Sequence, residues 1–167
     1  DPRLADSLKT LAALYYAQGR IAEADPLYQR AQVIIAKKTF GPEHPAVGQA
    51  LNNLALLYSA QGRYAEAEPL IKRALAIAEK TLGPEHPAVA ATLNNLAGLY
   101  HAQGQYAQAE PLYRRALAID EKAYGSNHPE VATDLNNLGE LYRAQNQYTQ
   151  AEPLIKRALA IAEKTLG

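Results

Sequence analysis

Apolar residues follow a helical spacing that is interrupted by short polar breaks. In residues 51–58 they fall at i, i+3, i+4 and i+7, one face of a helix, at Leu51, Leu54, Ala55 and Tyr58. A break at Gln61, Gly62 and Arg63 follows, and Gly62 suits a left-handed residue at a helix end. A second stripe then covers residues 64–78. The pattern predicts a helix–turn–helix unit.

Proline and glycine mark the ends of the predicted helices. The second helix ends at Leu82 before Gly83 and Pro84, and His86 with Pro87 opens the next helix. Proline is favourable at the first helical position and disfavours helical geometry in the residue before it. Further prolines lie inside each second helix, and we expect those helices to continue with one missing backbone bond and a slight bend; they are Pro69, Pro111 and Pro153.

The unit repeats along the chain with a period of 42 residues. Residues 67–83 (AEPLIKRALAIAEKTLG) recur unchanged as residues 151–167, and LNNL recurs at 51–54, 93–96 and 135–138. The repeats are residues 3–45, 46–87, 88–129 and 130–167, and the first carries one extra residue between Ala31 and Lys38. Asn146 replaces the turn glycine in the last repeat, as the residue next most tolerant of that conformation. Near-identity of the repeats indicates recent duplication or a consensus design.

Stacked helix pairs bury faces that one pair cannot bury alone. Small residues recur at equivalent positions, which predicts close approach of the helix axes; the two columns are Ala12, Ala55, Ala97, Gly139 and Ala24, Ala67, Ala109, Ala151. The sequence therefore predicts a single all-α domain spanning residues 1–167, an α-solenoid of four repeats.

Composition excludes several classes of function. Seventeen basic and seventeen acidic residues cancel, which argues against a nucleic-acid-binding surface or a polybasic membrane patch. Cysteine is absent, and no apolar run approaches the roughly 18 residues of a membrane span. Position 1 is not methionine, which indicates a processed or trimmed chain, and no signal peptide pattern is present. We expect a cytoplasmic protein.

Motifs of the repeat resemble those of a known family. The run L-A-x-L-Y-x-A-Q-G-x-Y-x-x-A followed by A-L-A-I resembles the tetratricopeptide repeat over essentially the whole chain. The 42-residue period, the block E-P-L-[IY]-[KR]-R-A-L and the linker G-P-E-H-P resemble the kinesin light chain subclass and the bacterial proteins that share it. The resemblance implies a superhelix with a concave groove that binds a protein partner, and no enzymatic activity.

One line on the first helix of each repeat faces the groove in that family. Asn52, Asn94 and Asn136 recur on this line, and an amide offers donors and an acceptor to the backbone of an extended peptide. The neighbouring side chains vary between repeats, as specificity requires. The expected groove residues are Lys9, Tyr16, Gln49, Asn52, Leu56, Ser59, Asn94, His101, Thr133, Asn136, Glu140 and Arg143.

Each LNNL segment holds two adjacent asparagines, which can have different roles. Hydrogen bonds between repeats are an alternative role for one of the two, and we assign it to the second asparagine, at Asn53, Asn95 and Asn137. A carboxylate clamp, which needs clustered cations, is not expected, because Lys9 and Arg143 lie at opposite ends of the array.

Residues with catalytic or ligand-binding chemistry fit structural roles. His44, His86 and His128 recur once per repeat, so they cannot converge on one metal ion, and we interpret them as helix-start residues. Repeating tyrosines suggest base stacking, but their helical spacing favours packing. Glutamates four residues before a lysine or arginine predict exposed ion pairs; they are Glu68, Glu110 and Glu152. We expect no catalytic residues, cofactor or metal.

Self-association is the alternative function. Terminal repeats normally carry polar caps, and none is visible beyond Pro2 or at Gly167. Apolar surface is therefore expected at both ends, and end-to-end stacking at high concentration is predicted.

Overall fold

The computed structural model describes residues 2–166, all of whose regular elements are α-helices. The expectations placed on Asp1 and Gly167 lie outside the described residues. The eight helices are α1 (Pro2–Ala17), α2 (Ile21–Phe40), α3 (Pro45–Ala60), α4 (Tyr64–Leu82), α5 (Pro87–Ala102), α6 (Tyr106–Tyr124), α7 (Pro129–Ala144) and α8 (Tyr148–Leu166). The predicted helix–turn–helix pairs are confirmed, as is the all-α fold.

Two compact units divide the chain, the first running to Thr81 and the second beginning at Leu82. In the first unit α1 packs on α2 and α2 on α3; in the second α5 packs on α6, α6 on α7 and α7 on α8. The first unit thus ends six residues before the second predicted repeat does, inside the last turn of α4. Within residues 2–166, no helix is both long enough and apolar enough to cross a membrane.

In three of the repeats, a histidine followed by a proline begins the first helix. His44 has extended backbone, with φ −73° and ψ 144°, and its Nδ1 accepts the Ala46 amide at 3.1 Å. His86 accepts from Ala88 at 3.1 Å, and His128 makes the same contact in the last repeat. Since these bonds satisfy free amides of the first turn, the helix-start role predicted for the histidines is confirmed.

The turns inside the repeats use left-handed backbone as predicted. Gly62 has φ 73° between α3 and α4, and Asn146 has φ 60° at the equivalent position between α7 and α8. Asparagine tolerates this conformation because its short polar side chain limits the steric penalty.

Prolines lie within the second helices without ending them, which confirms the predicted continuity, while the predicted slight bend stays a prediction. The structure keeps α4, α6 and α8 continuous through Pro69, Pro111 and Pro153. Each proline lies in the second turn of its helix, where a missing amide removes one backbone bond.

The predicted small-residue columns are buried in both units. In the first unit Ala12, Ala55, Ala24 and Ala67 are almost wholly inaccessible. In the second, a β-carbon built on Gly139 would lie 2.6 Å from Cγ1 of Ile155 in α8. Gly139 therefore allows a closer approach of α7 to α8 than alanine would.

The extra residue of the first repeat is absorbed inside α2. This helix has 20 residues, whereas α4, α6 and α8 have 19. The buried face changes with it: Val33 follows Ala31 in α2, whereas Ile77 follows Ala74 in α4. The register of the second helix therefore differs in the first repeat.

Candidate functional site

The predicted groove residues of the first unit lie on α1 and α3, and all of them reach solvent. Tyr16, Gln49 and Leu56 are exposed, and Lys9, Asn52 and Ser59 are half-buried. Leu56 leaves 43% of its surface accessible although it is a large apolar residue. The line is therefore a mixed polar and apolar surface rather than part of the core.

Contacts within the first unit position two of these side chains. The Tyr16 hydroxyl donates a hydrogen bond to Asp25 Oδ1 of α2, and this bond is the largest of the effects that raise the Tyr16 pKa. On α3, Gln49 Nε2 donates to Asn53 Oδ1 at 3.0 Å. Both amide groups face the same side of their helix, one turn apart.

A cavity of about 460 Å³ lies between α2 and α3 beside these amides. Its walls combine exposed aromatic rings, Tyr28 and Phe40, with the amides of Gln49 and Asn53. Phe40 also stacks on His44, with ring centroids 4.7 Å apart. Among the predicted groove residues, Gln49 is the one that lines this cavity.

In the second unit the predicted residues lie on α5 and α7, which contact each other directly. Asn94 and His101 of α5 are half-buried. On α7, the exposed predicted residues are Thr133, Asn136, Glu140 and Arg143. The Thr133 hydroxyl donates a hydrogen bond to the Pro129 carbonyl of its own helix at 3.3 Å.

Three charged or ionisable side chains share the ends of α5 and α7. Arg143 forms an ion pair with Glu140 at 2.6 Å, and this contact is the main cause of the lowered Glu140 pKa. The His101 charge lowers it further, so His101 on α5 lies close to Glu140 on α7. The ring of His101 also meets Tyr106 edge to face at 5.6 Å. The structure thus brings together residues that are about forty positions apart.

Asn94 makes a contact that the sequence analysis assigned to the second asparagine of each pair. Its Nδ2 donates to Asp134 Oδ1 at 2.5 Å, from α5 to α7. An inter-repeat hydrogen bond is therefore made here by the first asparagine, while Asn53 accepts a bond from its own helix. The inter-repeat role assigned to Asn95 and Asn137 stays a prediction. Contact of Asn94 with a peptide stays a prediction.

Sequence reasoning missed two buried carboxylates of the second unit, Asp134 and Asp120 of α6. The signal was available, because other repeats carry small uncharged residues at both positions. Asp134 corresponds to Ala50 and Thr92, and Asp120 corresponds to Ala78.

The repeating tyrosines divide into two groups. Tyr58, Tyr100 and Tyr142 are buried, which confirms the packing prediction for this position. The prediction is wrong for Tyr148, which leaves 61% of its surface exposed at the start of α8. At the equivalent positions Tyr64 and Tyr106 are half-buried.

The predicted surface ion pairs are confirmed. Lys72 contacts Glu68 at 2.6 Å, Arg114 contacts Glu110 at 2.9 Å and Lys156 contacts Glu152 at 2.5 Å. Such pairs contribute about 0.3–0.5 kcal/mol each, so they do not organise a site. Within residues 2–166, no three His, Asp or Glu side chains are grouped so as to hold a metal ion.

Comparisons with known proteins connect this geometry to a family. A model of the tetratricopeptide repeat matches residues 3–80, 49–122 and 89–164. The structure of BtubC (BKLC) from P. vanneervenii is similar, with a TM-score of 0.79 and 28% identity over 100% of this chain and 66% of that one. The chain thus spans just under two thirds of that protein.

Higher identity is found to a Podosopora anserina protein that carries the kinesin light chain name and nearly identical TPR-like repeats. Its structure has a TM-score of 0.74 and 35% identity, covering 100% of this chain and 79% of that one. A single-substitution variant of it gives a TM-score of 0.74 and 36% identity over 99% of this chain and 77% of that one. The search of curated proteins gave no match.

Proposed function

Because the chain belongs to the tetratricopeptide repeat family, in its kinesin-light-chain-like subclass, we propose that it is a scaffold that binds an extended peptide segment of a partner protein. Tetratricopeptide repeats generally mediate protein–protein interaction, and this is the general function of the chain. The proposed binding surface is the concave groove expected along the first helices of the repeats. In the second unit this means the outward line of α5 and α7.

The observation that carries the proposal is the adjacency of α5 and α7 residues along this line. His101 of α5 acts on Glu140 of α7, and Asn136 and Arg143 are exposed on the same helix. Amides and charges of both signs suit the backbone and polar side chains of an extended segment. In the first unit, exposed Leu56 supports an apolar contact with the same kind of ligand.

Charge on this surface favours a peptide without a dominant net charge. Arg143 is already paired with Glu140, and the other predicted cation, Lys9, belongs to the first unit. A ligand that presents a free terminal carboxylate would have to displace Glu140 from Arg143. We therefore expect internal segments to be preferred over peptide C-termini.

The test is selection of peptides from a displayed library on the whole chain. Asn136→Ala with Arg143→Ala removes two exposed side chains of α7, whereas Asn94→Ala would also break the bond to buried Asp134. Glu163→Ala with Lys164→Ala on exposed positions of α8 is the matched control. We expect a shared motif whose affinity falls at least tenfold in the α7 variant and is unchanged in the control.

Two results would count against the proposal. Equal affinity of the α7 variant and the wild type would move the site elsewhere on the molecule. Absence of any enriched motif would remove peptide binding as the function.

Self-association is the second candidate function. It is supported by apolar side chains that α1 leaves exposed at Leu4 and Leu14, and by Leu159 on α8. Leu4 and Leu14 belong to the first unit and Leu159 to the second, and exposed apolar residues of either unit favour association. Sedimentation at increasing protein concentration tests it, and an unchanged monomer would exclude it.

The cytoplasmic location expected from the sequence stays a prediction.

A further inference from the structure

Two carboxylates of the second unit are buried against each other between α6 and α7. Asp120 exposes 4% of its surface and Asp134 only 1%. Each carboxyl perturbs the pKa of the other, so the two groups lie within interaction distance across α6 and α7. Two ionised carboxylates offer acceptors only, so a hydrogen bond between them requires that one of them carries a proton.

The remaining polar atoms of the cluster are also acceptors. Asn94 donates to Asp134 Oδ1, and among the described residues Asp120 Oδ1, Asp134 Oδ2 and Asn94 Oδ1 have no hydrogen-bond partner. Burial of such atoms is unfavourable, and burial of a second negative charge beside the first is more so. Burial of the two carboxyls is therefore less unfavourable when one of them is protonated.

Charged groups around the pair do little to offset its charge. Glu130, in the first turn of α7, raises the pKa of both carboxyls, while His128 at the start of that helix lowers the pKa of Asp120. From α5 the contact is the neutral amide of Asn94. The face of α7 that packs on α8 is apolar, with Val131 and Leu135 against Ile161.

The pair interrupts an otherwise uniform repeat. Asp120 replaces the alanine found at Ala78 and Ala162, and Asp134 replaces Ala50 and Thr92. Both substitutions occur at the junction of α6 and α7. The other repeats show which uncharged residues fit these two positions.

We propose that Asp120 and Asp134 form a proton-dependent latch: one shared proton joins α6 to α7, and its loss leaves two buried like charges that loosen this junction. The latch makes the second unit responsive to pH near neutrality. It concerns the stability of the unit and is independent of the proposed peptide binding.

Desolvation by burial is the largest cause that raises the pKa of both carboxyls, and with the negative charges of Asp120 and Glu130 it raises the pKa of Asp134 to about 7. The folded state therefore binds more protons than the unfolded state between about pH 4 and pH 7. Stability falls as pH rises through this window, and it becomes flat once the shared proton is lost above the folded pKa. The change is up to tenfold in the unfolding equilibrium constant per pH unit for each proton.

The experiment compares urea unfolding of the whole chain from pH 4 to pH 8.5. Wild type is measured beside Asp120→Ala with Asp134→Ala, which restores the residues of the other repeats, and beside Asp134→Asn, which mimics the protonated acid. Glu163→Gln changes one exposed carboxylate on α8 and serves as the control. Taking differences between variants cancels the titration of the other acidic groups.

We expect wild type to lose stability relative to the double variant by at least tenfold in the unfolding constant between pH 5 and pH 8. The Asp134→Asn variant should lack this loss, and Glu163→Gln should retain it. Parallel pH dependence of wild type and the double variant would overturn the proposal.

A direct titration keeps the test decisive if a variant fails to fold. Carbon-13 shifts of the aspartate carboxyls in the wild-type chain should show one group titrating well above the value of about 3.9 found in unfolded peptides. Hydrogen exchange in α7, corrected for intrinsic rates, should accelerate above that midpoint. If every aspartate carboxyl titrates below pH 5, the shared proton does not exist and the latch is refuted.

Discussion

Tyr142 of α7 donates a hydrogen bond from its phenol hydroxyl to Glu110 Oε1 of α6, at 2.7 Å. Arg114 donates to the same Glu110 oxygen at 2.9 Å and also to the tyrosine hydroxyl. The Tyr142 bond is the largest cause of the lowered Glu110 pKa, followed by the Arg114 bond. The ion pair of Glu110 and Arg114 within α6 thus also bonds Tyr142 of the next repeat.

Removal of the Tyr142 hydroxyl should weaken this junction. We expect Tyr142→Phe to cost about 1–2 kcal/mol, because the ring stays buried while a hydrogen bond to a charged group is lost. Tyr148→Phe is the control, since its exposed hydroxyl bonds Asn146 at 2.8 Å and its loss should change stability by less than about 0.5 kcal/mol. Urea denaturation at neutral pH measures both.

The effect of Tyr142→Phe should shrink in acid. Glu110 has a lowered pKa when folded, so its stabilising contribution is present above the unfolded pKa and is lost as pH falls through the folded one. Repetition of the denaturation at about pH 3 should bring the variant closer to wild type. An undiminished difference in acid would show that the contribution of the Tyr142 hydroxyl does not depend on the charge of Glu110.

Two glycines within helices should respond to alanine in opposite directions. Gly139→Ala should destabilise by about 1 kcal/mol, because overpacking against Ile155 exceeds the gain in helix propensity. Gly98→Ala should stabilise by about 0.5–1 kcal/mol, since the nearest atom to the new methyl group is the Tyr113 hydroxyl oxygen at 3.6 Å. Thermal unfolding compares them, and equal shifts would contradict the close packing at Gly139.

The turn before α8 should prefer glycine to any residue with a side chain. Asn146→Ala should cost about 1–2 kcal/mol, because φ of 60° places a β-carbon in the unfavourable left-handed region. Asn146→Gly should be neutral or stabilising, as it restores the residue of the other turns. If alanine is tolerated as well as glycine, the turn has relaxed to negative φ.

Capping by histidine should be replaceable by another side-chain acceptor. His86→Ala should destabilise by about 1 kcal/mol, because it leaves the Ala88 amide without its bond to Nδ1. His86→Asn should recover most of this loss, since asparagine is a strong N-cap residue. Failure of asparagine to recover it would indicate that the ring acts by packing instead.

Helix ends, turns and proline positions were predictable from the sequence because they depend on neighbouring residues. His86 caps a helix two residues away, and Gly62 ends one locally. Because the repeat has a period of 42 residues, each such prediction applied to the equivalent position of the other repeats. The period also identified the buried columns, since equivalent positions in a repeat meet equivalent neighbours.

The tertiary structure decided the contacts between residues that are thirty to forty positions apart. The partner of Asn94, the pairing of Asp120 with Asp134 and the bond from Tyr142 to Glu110 each join different helices. Their burial and protonation depend on how closely α5, α6 and α7 pack, which no local pattern encodes. The sequence determined which helices form and where they end, and only their packing determined which polar groups they bury.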